Sequence, residues 1–291
     1  MAKRVWERIE GPAQTLLPGM TVFYTERRGH GIALAEEAGR RGDDTVVAVG
    51  GDGTISEVVN GLLRAGNGAS RNPLGIIPAG TGGDTVRTLG VPRDPGAALL
   101  CLTRGRRRTI DAGRVTFDLD GAAPEERYFL NVADAGLGGE TVAAVDGLKR
   151  LGGRTGFLVG TLLALARFRP ANVRIRIDDG ADEWTSLADV VACGNCRFFG
   201  GGMQIAPRAD PADGLLDLVL IQHQPPWKSI PGLRRVYDGT LLDDPAVRWR
   251  RVRSVDVTAD RPDVRVDVDG EQPGMLPARF EVLPRAIDVV L

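Results

Sequence analysis

The chain has 291 residues, 43% of them hydrophobic, enough for one large domain or two of ordinary size. Its formal net charge of −1 excludes the basic balance of a nucleic-acid binder. Lys3, Lys149 and Lys228 are the only lysines, so a lysine-based phosphate loop is excluded, and three cysteines fit a reducing, cytoplasmic setting rather than a disulfide framework.

Met1 to Glu10 is charged and lacks the apolar segment of a signal peptide. Thr21 to Tyr24 predicts a strand, and Ile32 to Ala38 a helix ending near Gly39. The β-branched run from Val46 to Val49 predicts a buried parallel strand. Ile55, Val58, Val59, Leu62 and Leu63 then follow the spacing of an amphipathic helix, which stops by Gly66. Leu74 to Ile77 forms the next strand and opens into Gly80-Thr81-Gly82-Gly83-Asp84. Asp94 and Pro95 start a helix that Gly105 ends. Arg104 and Arg106 to Arg108 read as a solvated helix end, with anionic lipid headgroups as the rival use. Alternating strands and helices with short loops imply a parallel sheet.

Beyond Asp111 the pattern changes. Val173, Ile175 and Ile177 alternate with arginines, and Val264, Val266 and Val268 alternate with Arg265, Asp267 and Asp269. This is the period of antiparallel strands with one wet face. Two domains are expected, residues 1–112 and 113–291. Phe157 to Phe168 is about half the length of a membrane span, so a core helix is expected there, with a membrane-surface helix as the alternative. That segment and the loop around Pro225, Pro226 and Trp227 could touch a bilayer. Cys193-Gly-Asn-Cys196 has redox spacing but lacks a following helix, so both cysteines read as structural.

The chemistry concentrates in Gly50-Gly51-Asp52-Gly53-Thr54, between a strand and a helix. Glycines let backbone N–H groups approach a ligand, and a helix N-terminus favours anions. Asp52 would repel a bare phosphate but suits a magnesium-bound one. The pattern points to a metal–nucleotide site, against an ordinary Gly-Asp-Gly turn.

Taken in order, the series GGDGT, PAGTGGD, Asp111-Ala112-Gly113, FFGGGMQIAP with DPADGLLD, and Asp269-Gly270-Glu271 resembles the diacylglycerol kinase catalytic family. The resemblance runs from about residue 20 to the C-terminus. It implies an α/β fold: a doubly wound parallel-sheet nucleotide domain, then a C-terminal antiparallel β-sandwich, with the active site between them. Residues Gly51, Asp52, Gly53, Thr54, Ile55, Ser56 and Glu57 would wrap the nucleotide phosphates, with Thr25 and Thr81 also touching nucleotide. Asp52, Asp84 and Asp111 match the acidic network that organises catalytic magnesium through water. Glu271 matches the proton acceptor for the lipid hydroxyl. Asp213, with the carbonyls of Asp210 and Leu215, matches a separate structural magnesium site.

Some positions depart from the family. Gly83 stands where asparagine is common, Thr85 where an aromatic is common, and Ser56 replaces asparagine. The family opens with a strand and an Asn-Pro loop that contributes to nucleotide binding. Here Met1 begins in what resembles the first helix, with Val5, Trp6 and Ile9 as its apolar side. Without that first strand, the chain is expected to be poorly stable or weak for ATP.

The resemblance implies an ATP- and Mg2+-dependent lipid kinase, cytoplasmic and peripheral at the membrane. Its substrate would be diacylglycerol or a similar lipid, a sphingoid base or ceramide included, and a homodimer is compatible. The alternatives are an NAD kinase-like enzyme and a non-catalytic lipid-binding relative.

Overall fold

The computed structural model describes residues 1–117, 125–138, 140 and 168–291. Its first half alternates helix and strand: α1 (Ala2–Leu16), α2 (His30–Arg41), β1 (Val46–Gly50), α3 (Asp52–Ala65), β2 (Leu74–Pro78), α4 (Asp84–Leu89) and α5 (Pro95–Arg104). β1 and β2 pair in parallel, from Val46 opposite Leu74 to Gly50 opposite Pro78. Side chains alternate across this sheet and sort the helices into two layers. Ala48 and Ile76 pack with Val59, Leu62 and Leu63 of α3 on one face. Val47, Val49 and Ile77 meet Trp6 and Ile9 of α1 and Leu99 of α5 on the other. Asp94 caps α5 as its sequence requires, Oδ1 accepting the Ala97 N–H at 2.9 Å, and left-handed Gly105 closes it.

Thr21 to Tyr24 departs from expectation: residues 21–26 form no strand. Val22, Phe23 and Tyr24 are exposed, and β1 pairs only with β2 among the described residues. Strand propensity is realised only through pairing, and this segment does not pair with the open edge of β1.

The second half is built from β3 (Arg107–Phe117), β4 (Glu125–Phe129), β5 (Val132–Gly136), β6 (Ala171–Ile177), β7 (Asp182–Gly194), β8 (Phe198–Phe199), β9 (Met203–Gln204) and β10 (Leu216–Gln222). Helix α6 (Pro226–Asp238) precedes β11 (Val247–Val252), β12 (Ser254–Ala259), β13 (Arg265–Val268), β14 (Glu271–Met275) and β15 (Ala278–Val290). Val173, Ile175 and Ile177 are buried while Arg174 and Arg176 between them are exposed, as the period-two pattern predicts. They face Phe117, Phe129, Leu218 and Phe280 inside the β-sandwich. Pro225 and Pro226 begin α6 rather than a loop.

The expected boundary at residue 112 falls inside β3, and the last strand serves both halves. Ala278 to Leu283 of β15 pairs with Phe117 to Ala112 of β3. After an irregularity, Ile287 to Val290 pairs with Ile110 to Arg107, and Val289 lies parallel to Leu74 of β2. Cys193 and Cys196 are buried free thiols whose ionisation burial opposes, in keeping with a structural role. Of the Phe157 to Phe168 segment, residues 157–167 lie outside the described residues. No described helix is long and apolar enough to cross a membrane.

Asp134 of β5 faces Asp267 of β13 in register, and both are buried. Both oxygens of Asp134 and Oδ1 of Asp267 have no hydrogen-bond partner among the described residues. Burial pushes Asp134 from 3.8 up to about 7. The folded protein therefore holds a proton that the unfolded chain has released, and stability falls as pH rises from about 4 to about 7. Asp134→Asn removes this titration. Its Tm relative to wild type is expected to be higher at about pH 8 than at about pH 5 in thermal melts, and equal differences would exclude the effect.

Candidate active site

Two glycine loops meet at the carboxyl ends of β1 and β2. The Ala79 N–H donates to the Gly50 carbonyl at 2.7 Å, so the loops run side by side. A Cβ on Gly80 would lie 2.5 Å from the Gly51 Cα, so the approach requires glycine. Gly51 is the N-cap of α3, and the first intrahelical bond runs from Ile55 N to Gly51 O at 3.1 Å. The first turn, Asp52 to Thr54, precedes that bond and is the part of the GGDGT loop suited to phosphates. Ile55 and Ser56 point their side chains into the interior.

Asp52 ties the two loops together. Its Oδ2 accepts the Gly83 N–H at 2.8 Å and its Oδ1 the Thr85 N–H at 3.2 Å, at the start of α4. Asp84, in the first turn of α4, is buried and lies near enough for the Asp52 charge to act on it. Its Oδ2 accepts the Gly201 N–H at 2.7 Å, while Oδ1 is buried without a hydrogen bond. Burial pushes the Asp84 carboxyl above its ordinary value, the Gly201 N–H and Arg87 pulling the other way. Arg87 Nη1 is 3.8 Å from Asp84 Oδ1, and its guanidinium stacks on Phe198 at 4.8 Å. Gly200, Gly201 and Gly202 all have positive φ, so this loop of the second half closes on α4 with backbone alone.

Asp111 is bonded to a different set of segments from Asp52 and Asp84. It is buried; Oδ2 accepts the Gly214 N–H and Oδ1 the Arg285 N–H, each at 2.7 Å. Its own N–H donates to the Pro211 carbonyl at 2.7 Å, which joins it to the 210–215 loop. Within that loop Asp210 Oδ1 accepts the Ala212 N–H at 3.2 Å, and Asp213 Oδ1 the Leu215 N–H at 3.0 Å. Asp213 Oδ2 lies 3.7 Å from Arg251 Nε.

Glu57 reaches backward. Its two oxygens accept the Gly29 and Gly31 N–H groups, both at 2.8 Å, and so fix the turn that starts α2. Thr25, just before that turn, and Thr81 are exposed. Glu271 opens β14 after a turn in which Asp269 and Gly270 have φ of 50° and 86°. Asp269 accepts the N–H groups of Leu130, Asn131 and Val132 at 3.0, 3.1 and 3.0 Å, which anchors the turn. Glu271 Oε1 accepts from Arg28 Nε at 3.1 Å, which ties β14 to the turn before α2. Motif reading missed Arg28, which lies 243 positions from Glu271 in sequence and stands in an Arg27-Arg28 pair outside every motif.

Paired glycine loops at parallel-strand ends with an acid pair between them, and a carboxylate of β14 tied to the turn before α2, are an arrangement suited to phosphoryl transfer. Comparison with known proteins makes this specific. A family model described as the diacylglycerol kinase catalytic domain matches residues 1–115. A second, the YegS C-terminal NAD kinase beta sandwich-like domain, matches residues 131–291. A diacylglycerol kinase of Mycobacterium tuberculosis is 33% identical over 258 residues, covering 88% of this chain and 80% of that protein. One of Bacillus subtilis is 32% identical over 265 residues, covering 90% and 82%. A crystal structure of a diacylglycerol kinase from Bacillus anthracis shares the fold, with a TM-score of 0.72 at 21% identity over 99% of this chain and 90% of that one. The chain belongs to the diacylglycerol kinase family and is a lipid kinase.

Asp111→Ala should strip the acceptor from two backbone N–H groups, at Gly214 and Arg285. A loss of about 1–3 kcal/mol is expected in urea unfolding. Unchanged stability would show that water replaces the carboxylate without penalty.

Proposed function

We propose that the enzyme transfers the γ-phosphoryl group of ATP to a hydroxyl of diacylglycerol or a similar lipid. In this reading the first turn of α3 and the Gly80 to Gly83 loop cradle the phosphates. The lipid oxygen bonds to the γ-phosphorus as the bond to the β-phosphate oxygen breaks, ADP leaves, and Glu271 takes the hydroxyl proton. The observation that carries the reading is the place of Glu271: on a fixed turn of the second half, 3.1 Å from Arg28 of the nucleotide half.

The second half also supports a lipid over a compact polar acceptor. A cavity of about 260 Å³ has an apolar wall that includes Val173, Val191 and Val264, and the charged side chains Glu140, Arg169, Arg261, Asp263 and Arg265 also line it. Arg265 is opposite Met275, and Val268 is opposite Glu271, at the two ends of the β13–β14 hairpin. Three steps along a strand span about 10 Å, so an acceptor with its hydroxyl at Glu271 and an apolar body in the cavity is extended and amphiphilic.

Magnesium fits the first site. Asp84 Oδ1 is buried without a hydrogen bond among the described residues, and Asp52 lies beside it. Asp52 and Asp84 would hold the ion through water, as magnesium prefers. Bound there, it would neutralise charge on the nucleotide phosphates. Asp213, with the carbonyls of Asp210 and Leu215, offers a second oxygen site with a single carboxylate.

Glu271→Gln is expected to lower lipid phosphorylation on the order of 10²–10⁴-fold while calorimetric Mg-ATP affinity is kept. Near-normal turnover would remove Glu271 from the chemistry. Wild type should melt higher in magnesium than in chelator, and Asp213→Ala should lose most of that difference. Equal shifts in both proteins would deny Asp213 a metal role.

A further inference from the structure

The Arg28–Glu271 pair joins two turns that are each held rigidly from behind. Arg28 precedes Gly29, whose φ is 78°, and the N–H groups of Gly29 and Gly31 are both engaged at 2.8 Å by Glu57 of α3. A Cβ on Gly31 would lie 2.5 Å from Glu57 Oε2, so the turn is packed onto that carboxylate. Glu57 lies one helical turn beyond the GGDGT loop, so the phosphate loop and the turn bearing Arg28 move as one unit. On the other side, three backbone N–H groups hold Asp269, two residues before Glu271.

The pair itself is open to solvent, with Arg28 63% and Glu271 28% exposed. An exposed ion pair adds little to stability, so its consequence is geometric. Arg28 Nε engages Oε1 of Glu271, and Oε2 has no hydrogen-bond partner among the described residues. We propose that Arg28 is a positioning residue for Glu271: it fixes the carboxylate relative to the phosphate loop and leaves Oε2 free for the lipid hydroxyl. The contact then comes from the nucleotide half, and the orientation of the proton acceptor is set by the element that holds the phosphates. The inference rests on the lipid kinase reading above.

The test compares wild type, Arg28→Ala, Arg28→Lys, Glu271→Gln and the Arg28→Ala/Glu271→Gln double variant. Each is assayed with Mg-ATP and diacylglycerol in mixed micelles. Arg28→Ala should lower kcat by about tenfold or more, since small displacements of a reacting group are costly. The KM values and Tm should stay near those of wild type, Arg28→Lys should recover most of the rate, and the double variant should be no slower than Glu271→Gln alone. An unchanged kcat, a raised KM for ATP with kcat kept, or losses that multiply in the double variant would overturn the proposal. If Glu271→Gln is as fast as wild type, there is no proton acceptor to position and the proposal is overturned; if wild type phosphorylates no lipid, the lipid kinase reading fails separately. Hydrogen exchange at residues 269–272 then decides the contact: faster exchange in Arg28→Ala supports it, and equal exchange overturns it.

Discussion

The relation between the two halves depends on one kinked strand. β15 enters the sandwich beside β12 and leaves it beside β2, with β3 running antiparallel along both stretches. Between Leu283 and Ile287 the register shifts, and Arg285 takes a φ of 54°. Such a residue is held only where its surroundings fix it, and Asp111 of β3 does so by accepting the Arg285 N–H. The same carboxylate accepts the Gly214 N–H, so the 210–215 loop is referenced to the same joint. The distance from Glu271 to the phosphate loops is thus set by packed strands rather than by a flexible linker.

On that frame the carboxylates divide by what surrounds them. Asp52, Asp111 and Asp269 each accept two or more backbone N–H groups and act as fasteners between segments. Asp84 and Asp134 are buried with oxygens left unbonded, and burial raises both. Glu271 is neither: it is partly exposed and paired with one guanidinium. Burial also raises Asp269, to about 7, outweighing the three N–H groups that favour its ionised form. Carboxylates therefore serve as structural ties or as buried groups beside the glycine loops, and Glu271 as the partly exposed group that we propose accepts the proton, according to their surroundings.

The sequence alone determined the local elements and the ordered motifs. β-Branched runs gave β1 and β2, helical spacing gave α3, Asp94 and Gly105 bounded α5, and period-two arginines gave the wet face of β6. These signals are local, so they need no knowledge of distant neighbours. The glycine loops and the Asp-Gly-Glu turn were legible for the same reason. Tertiary structure decided what depends on partners far along the chain. Thr21 to Tyr24 has strand composition, yet it pairs with no strand among the described residues. Asp111 and Asp84 look alike in sequence, but the return of β15 takes one of them as a strap. Arg28 carries no local mark, and only the folding of β14 against the turn before α2 brings it to Glu271. A motif records what a segment can do; a contact also requires the closure of the loop between its members, which the whole packed core determines.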